Sequence, residues 1–255
     1  MPTNTLPDIG LGTMGIDEPQ RIASAIEMGY RHLDTAQIYD NEEVVRRGIE
    51  LADVPREDLF VATKVWADSL APDDVLVSTE TSLDKLGLES VDLLYVHRPI
   101  DAYDPNETLP AFDALHEQGR IRHVGVSNFT PSELDTARDV LDAPIFAHQV
   151  EMHPLFRQAE LLSHARRHDT NLVAYSPIAQ GEVFNLPELT DLAGKHDATE
   201  SQIALAWLVE QGAVPIPRSN SDDHLRQNLA AADIELSSED MAQIDGIDRE
   251  KKLFE

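Results

Sequence analysis

The chain has 255 residues, of which 47 are Asp or Glu and 20 are Lys or Arg, for a formal net charge of −27. Such a field repels nucleic acid and anionic membrane surfaces, and no apolar run is long enough to span a bilayer. The absence of cysteine excludes disulfides, thiolate catalysis and Cys-ligated zinc.

Short apolar, β-branched runs predict strands at 9–13, 32–36, 60–66, 92–97, 122–128, 145–151, 172–178 and 213–219. Amphipathic segments with helical spacing lie between and after them, at 21–28, 42–51, 72–86, 109–118, 131–141, 159–168, 200–209 and 222–232. Thr130-Pro-Ser-Glu133 is a strong helix start, with Pro in the first turn. Gly29, Gly87, Gly119 and Gly212 stand where helices should close. A further helix is expected over about 238–247. Eight strands alternating with eight helices predict an α/β fold, a (β/α)8 TIM barrel, formed by one domain over 1–255. Gly10-Leu-Gly12-Thr-Met-Gly15, with Asp34 further on, imitates a dinucleotide-binding fingerprint. Pro7 and Asp8 stand where a buried first strand should be, so the strand is expected to run through the glycines instead.

In such barrels the C-terminal ends of the strands build the active site. Those ends carry Thr13, Asp34, Lys64, His97, Ser127-Asn128, Gln149, Tyr175-Ser176 and Arg218-Ser219, and Tyr39 follows closely on the second strand. A Tyr works as a proton donor near neutral pH if its pKa is lowered from about 10. A Lys ammonium beside it, itself held by an Asp carboxylate, supplies that push. The expected chemistry is reduction of a carbonyl, with a primed phenol as the proton donor.

The chain resembles the aldo-keto reductase superfamily over nearly its whole length, and within it the short prokaryotic members similar to 2,5-diketo-gluconate reductase. The resemblance rests on Gly10-Leu-Gly-Thr13, Leu33-Asp-Thr-Ala-Gln-Ile-Tyr39, Ala62-Thr-Lys-Val-Trp66, Tyr95-Val-His-Arg-Pro99, Gly125-Val-Ser-Asn-Phe129, Gln149-Val-Glu-Met-His-Pro154, Ala174-Tyr-Ser-Pro177 and Ile216-Pro-Arg-Ser219. It implies NAD(P)H-dependent reduction of aldehydes or ketones. Tyr39 is then the general acid, Lys64 lowers its pKa, Asp34 holds Lys64, and His97 hydrogen-bonds the carbonyl oxygen. Donors aimed at that oxygen stabilise the charge that hydride addition builds there.

The same resemblance implies a cofactor site. Ser127, Asn128 and Gln149 would bond the nicotinamide carboxamide, Tyr175 would stack on the ring, and Thr13 would join Asp34 near the ribose. Ser176, Pro177 and Ile178 would line the pyrophosphate. Arg218, Ser219, His224 and Asn228 would meet the adenosine end. The chain departs from the family pattern there: Arg218 replaces the usual Lys, His224 the usual Arg, and Gln227 the usual Glu. Arg218 keeps one strong cation for a 2′-phosphate, whereas His224 is a weaker second. NADPH is therefore the expected cofactor, with NADH or dual use left open.

By family position, Met14, Trp66, Arg98 and Phe129 wall the substrate pocket. Arg98 stands where a Trp is common and would attract a carboxylate or pair with an acidic residue. The sequence stops soon after its last helix, without the long loop that closes the pocket in many relatives, so an open, shallow site is expected. The N-terminal hairpin that plugs the barrel bottom in relatives is also abbreviated. No metal is expected: His164 and His168 share a helix face, but two ligands without a third are weak evidence.

Two other functions fit the same residues. Lys64 as the nucleophile of a Schiff-base lyase would need a lowered pKa, which Asp34 opposes. A redox sensor or regulatory subunit would bind the cofactor and report its state. The N-terminal Met1-Pro-Thr-Asn-Thr-Leu lacks the basic and apolar regions of a signal peptide. A cytoplasmic monomer that acts on small-molecule carbonyls, without nucleic acid or membrane partners, is expected. Acidic residues spread along the whole length fit a high-salt cytoplasm, where counterions screen self-repulsion, better than a docking face for a basic partner.

Overall fold

The computed structural model describes residues 6–254. Its strands are β1 (Leu11–Gly12), β2 (His32–Asp34), β3 (Phe60–Val65), β4 (Val91–Val96), β5 (Ile121–Ser127), β6 (Ile145–Glu151), β7 (Asn171–Tyr175) and β8 (Ala213–Pro215). They form one parallel sheet in sequential order. The sheet closes on itself: Gly10 N donates to Pro215 O at 3.0 Å and Gly12 N to Pro217 O at 3.2 Å. The result is the expected (β/α)8 barrel. The first strand does run through the glycines of the false fingerprint. A Cβ on Gly10 would lie 2.5 Å from His32 Nδ1, and one on Gly12 would lie 2.7 Å from Ile216 O, so the closing seam leaves room only for glycine. The last strand is shorter than expected because Pro215 and Pro217 have no N–H to extend the ladder.

The helices are α1 (Pro19–Met28), α2 (Glu42–Leu51), α3 (Pro72–Leu86), α4 (Pro105–Glu117), α5 (Pro131–Val140), α6 (Ala159–His168), α7 (Pro187–His196), α8 (Glu200–Glu210), α9 (Asp222–Ala230) and α10 (Ser238–Asp245). Thr130 and Glu133 form the reciprocal cap of α5 that the sequence announces. Helix α4 starts one turn earlier than expected, at Pro105, where the Asp104 side chain accepts from Asn106 N at 2.9 Å. Helix α7 was not expected at all. It packs on α8, whose residues 203–208 are all buried, and gives that apolar helix a second cover. Among the described residues no helix is long and apolar enough to cross a membrane.

Most apolar side chains fill the layer between sheet and helices. A smaller cluster fills the barrel itself, with Leu6, Ala62, Leu93, Tyr95, Ala147, Val173, Val214 and Ile216. At the N-terminal end of the barrel the rings of Phe60, His123 and Phe146 stack, with His123 and Phe146 4.0 Å apart. Strand residues thus close that end of the barrel.

Candidate active site

Asp34 ends β2, Lys64 is the fifth residue of β3, and His97 directly follows β4. Tyr39 closes a single helical turn, Gln37–Tyr39, just after β2. Adjacent parallel strands therefore deliver all four side chains to one sector of the rim. Lys64 Nζ forms a short ion pair with Asp34 Oδ1, donates to Thr35 O at 2.8 Å, and lies 3.5 Å from Tyr39 Oη. Lys64 and Asp34 are buried at 0% and 1% side-chain exposure. Such a charge inside a protein persists only when paired. The His97 ring meets Tyr39 edge-on at 6.1 Å and Trp66 at 4.9 Å, and its Nδ1 is buried without a partner.

The electrostatics differ from expectation in one respect. Burial raises the Tyr39 pKa; Lys64 pulls the other way by charge and hydrogen bond, but the net shift is upward. The phenol is thus held protonated at neutral pH, with a cation beside it to receive the phenolate, rather than carrying a lowered pKa. For Lys64, burial lowers the pKa, but Asp34 and Tyr39 together raise it above its ordinary value. Lys64 is an ammonium, unsuited to forming a Schiff base. Burial and then the charges of Lys64 and Arg98 lower the His97 pKa to about 3, so the imidazole is neutral.

The expected nicotinamide residues gather beside this group. Gln149 Nε2 donates to Asp34 Oδ2 at 2.7 Å. Tyr175 Oη donates to Asn128 Oδ1 at 2.8 Å, and Asn128 Nδ2 donates to Ser127 Oγ at 3.0 Å and His97 O at 3.2 Å. Thr13 Oγ1 donates to Asp34 O at 3.0 Å. Ser176 is left-handed, with φ 51°, in a loop where Ala179 and Gln180 are also left-handed, with φ 49° and 53°. Pro177 is buried and Ile178 half-buried in that loop. Non-glycine residues pay strain for such angles, and they cluster at ligand-binding loops. Arg218 is exposed and lies over the loop after β1, its Nη1 3.7 Å from where a Gly15 Cβ would be. Ser219 Oγ accepts from Ser221 N at 3.0 Å at the start of α9. On that helix His224 is exposed and Asn228, one turn on, is buried.

Next to the site, a groove of about 710 Å³ is lined by Arg98, Asn128, Phe129 and Tyr175 on one side and by Glu250, Lys252 and Phe254 on the other. Trp66 is half-buried at the rim and Met14 exposed. Phe129 is 2% exposed and packs on Tyr103 at 5.4 Å, so it is as much core as wall. Arg98 acts on Tyr175: burial and Glu151 raise the phenol to about 12, while Arg98 pulls it down by charge and hydrogen bond.

The site is less open than expected. The segment after α10 folds back over the rim, with Lys251 N bonded to Leu155 O at 2.8 Å. Glu151, 2% exposed, accepts from Leu253 N at 2.6 Å and Phe254 N at 3.0 Å. Phe254 then meets Tyr175 edge-on at 5.7 Å. Glu151 had no role in the sequence reading, although it points to the same face as Gln149 two residues earlier. Asn41 was also missed. It is buried, donates to Thr13 O at 2.7 Å and accepts from Thr35 Oγ1 at 3.0 Å, stitching the loops after β1 and β2 together.

The family model described as "Aldo/keto reductase family" matches residues 8–249. The glyoxal reductase of Bacillus subtilis (strain 168) is 36% identical, over 97% of this chain and 91% of its own. The methylglyoxal reductase DkgB of Salmonella typhimurium is 35% identical, over 98% of this chain and 96% of its own. The crystal structure of a protein assigned as a 2,5-diketo-D-gluconic acid reductase B superposes with a TM-score of 0.91 at 36% identity, covering 95% of this chain and 88% of that one.

Proposed function

The chain belongs to the aldo/keto reductase family and is an oxidoreductase that reduces carbonyl compounds with a nicotinamide cofactor; on that premise we propose that Tyr39 is the general acid, that NADPH is the preferred cofactor and that small dicarbonyls are substrates. The observation that carries the reading is the buried Asp34–Lys64 pair with Lys64 Nζ 3.5 Å from the Tyr39 hydroxyl. Reduced nicotinamide, when bound, supplies the hydride. Tyr39 gives its phenolic proton to the carbonyl oxygen, and Lys64 stabilises the phenolate left behind. Asp34 keeps Lys64 charged. A neutral His97 carries one N–H, which is available to hydrogen-bond the same oxygen.

The residues present suit that cofactor. Ser127, Asn128 and Gln149 offer the donors and acceptors a carboxamide needs. Tyr175 offers a flat face beside them, and the left-handed loop at 176–180 brings backbone close to where phosphates would lie. Arg218 makes no ion pair among the described residues, although acidic groups outnumber basic ones in the chain, which leaves it for a 2′-phosphate. The substrate class follows the named activities of the glyoxal and methylglyoxal reductases. Among the described residues one barrel supplies every group of the site, which supports a monomer, and the acidic composition supports work in a salt-rich cytoplasm.

The test is oxidation of NADPH and of NADH with glyoxal, methylglyoxal and simple aldehydes in concentrated KCl, with Tyr39→Phe as control. Turnover with NADPH ahead of NADH that falls by about 10²-fold or more in the variant is expected. A folded Tyr39→Phe protein that turns over like the parent would overturn the assignment of the acid, and equal use of NADH would overturn the cofactor preference.

A further inference from the structure

We propose that Asp135 of α5 with His164 and His168 of α6 forms a divalent-cation site of the zinc class on the outer helical layer, apart from the active site. From sequence alone the two histidines lack a third ligand. The fold supplies it: α5 and α6 are neighbours, and Asp135 Oδ1 lies 3.1 Å from His164 Nε2. One ligand atom from each of the three residues lies within 4.8 Å of the other two.

The arrangement has the features such a site needs. His164 and His168 are one helical turn apart, the spacing that points two side chains the same way. Their rings face each other 4.4 Å apart at 31°. Two imidazole nitrogens and a carboxylate oxygen are a donor set for a borderline cation such as Zn²⁺, with water completing the coordination. Bond lengths of about 2.0–2.2 Å to one ion require the three ligand atoms to draw in by no more than side-chain rotation. The residues that must turn are free to do so, since Asp135 is 67% exposed and His168 is exposed, while His164 is the fixed member at 4%. Of the nearby guanidiniums, Arg138 Nη2 donates to Thr170 Oγ1 at 2.7 Å and Arg167 Nη1 to Ser163 Oγ at 2.8 Å, so neither side chain is pinned to a ligand atom, although both charges stay beside the site. The Asp135–His164 hydrogen bond alone accounts for two of the residues. It gives no reason for the His168 ring to be held against His164.

None of the three lines the groove at the rim. A cation there would clip α5 to α6 and add stability without entering the reaction. The experiment uses the full chain, stripped of metal by chelator and dialysed, and titrated with Zn²⁺ by calorimetry. Thermal melting is followed in parallel, and Co²⁺ serves as a spectroscopic probe of nitrogen and oxygen ligation. Saturable binding of one Zn²⁺ per chain, with a raised melting temperature, is expected. Asp135→Asn and His168→Ala, both at exposed positions, should each weaken binding by about tenfold or more, the least that losing a group supporting a ligand costs. Carbonyl reduction by either metal-free variant should match the parent. Absence of saturable binding, or Zn²⁺ affinity that survives in either folded variant, would overturn the three-ligand site.

Discussion

Gln149 Nε2 donates to Asp34 Oδ2 at 2.7 Å, so the carboxylate that pairs with Lys64 through one oxygen holds the glutamine through the other. Both partners are donors. An Asn at position 34 is uncharged, and with its one oxygen on Lys64 its N–H₂ is set against the N–H₂ of Gln149. Asp34→Asn is therefore expected to damage two properties together. Lys64 loses its counter-charge, and burial then pulls its pKa down, so kcat falls. Gln149 loses its anchor, so nicotinamide binding weakens. Breaking a buried ion pair costs about 3–5 kcal/mol of stability. Denaturant unfolding, kcat and cofactor affinity by fluorescence titration check the three effects; a loss of kcat alone would show that Gln149 does not depend on Asp34.

Three buried histidines make stability depend on acid. Burial chiefly lowers the pKa of His32 to about 4, and of His97 and His148 to about 3, from 6.5. As pH falls through 6.5 the unfolded chain takes up protons that the folded chain refuses, so stability is present above that value and is lost toward pH 4 and below. For His32 the shift corresponds to about 3 kcal/mol. Both His32 ring nitrogens are buried without partners. His32→Leu should therefore keep the fold at neutral pH and flatten the acid limb, as read from melting temperatures between pH 7 and 4.5. An unchanged limb would place the sensitivity in His97, His148 or the carboxylates.

Glu151→Gln tests the strap over the rim. Leu253 N and Phe254 N both donate to the Glu151 carboxylate, and an amide keeps only one acceptor. The hydrogen bond lost is to a charged group, worth about 1.5–3 kcal/mol. The segment should loosen and Phe254 should leave Tyr175. KM for the carbonyl is expected to rise by about tenfold while kcat changes little, and Phe254→Ala should behave alike. Wild-type KM in both variants would mean that the strap does not shape the pocket.

Arg218→Ala should raise KM for NADPH by about tenfold and leave NADH nearly untouched, since a charged hydrogen bond to phosphate would be lost. A parallel rise for both cofactors would assign Arg218 to the shared part of the dinucleotide.

Added KCl should raise the melting temperature, because counterions screen repulsion within a chain of net charge −27. A melting temperature independent of KCl between 0.1 and 3 M would remove salt adaptation as the reason for the acidic composition.

The strands and rim were legible because buried strand positions are apolar and many are β-branched, and the C-terminal ends of the strands carry the chemistry. Asp34, Lys64 and His97 come from three strands, and only the order of a parallel barrel unites them. Helix α7 was not legible because eight strand–helix units complete a barrel without it, yet Pro187 at its start and buried Leu189, Leu192 and Ala193 carry the usual pattern. The direction of the Tyr39 shift was not legible either. Spacing gives the Lys64 neighbour but not the degree of burial, and burial decides the balance. Glu151 was hidden for a related reason: besides the His153 ring two residues on, its partners are backbone N–H groups about a hundred residues away, which no side-chain pattern announces.

The contact of Phe254 with Tyr175 places the last described part of the chain at the mouth of the reaction chamber. A dye attached at the exposed Lys252 beside it would sit there, not on a remote face. Such a label would report on cofactor occupancy through its emission, and a bulky group at the same position would obstruct the groove.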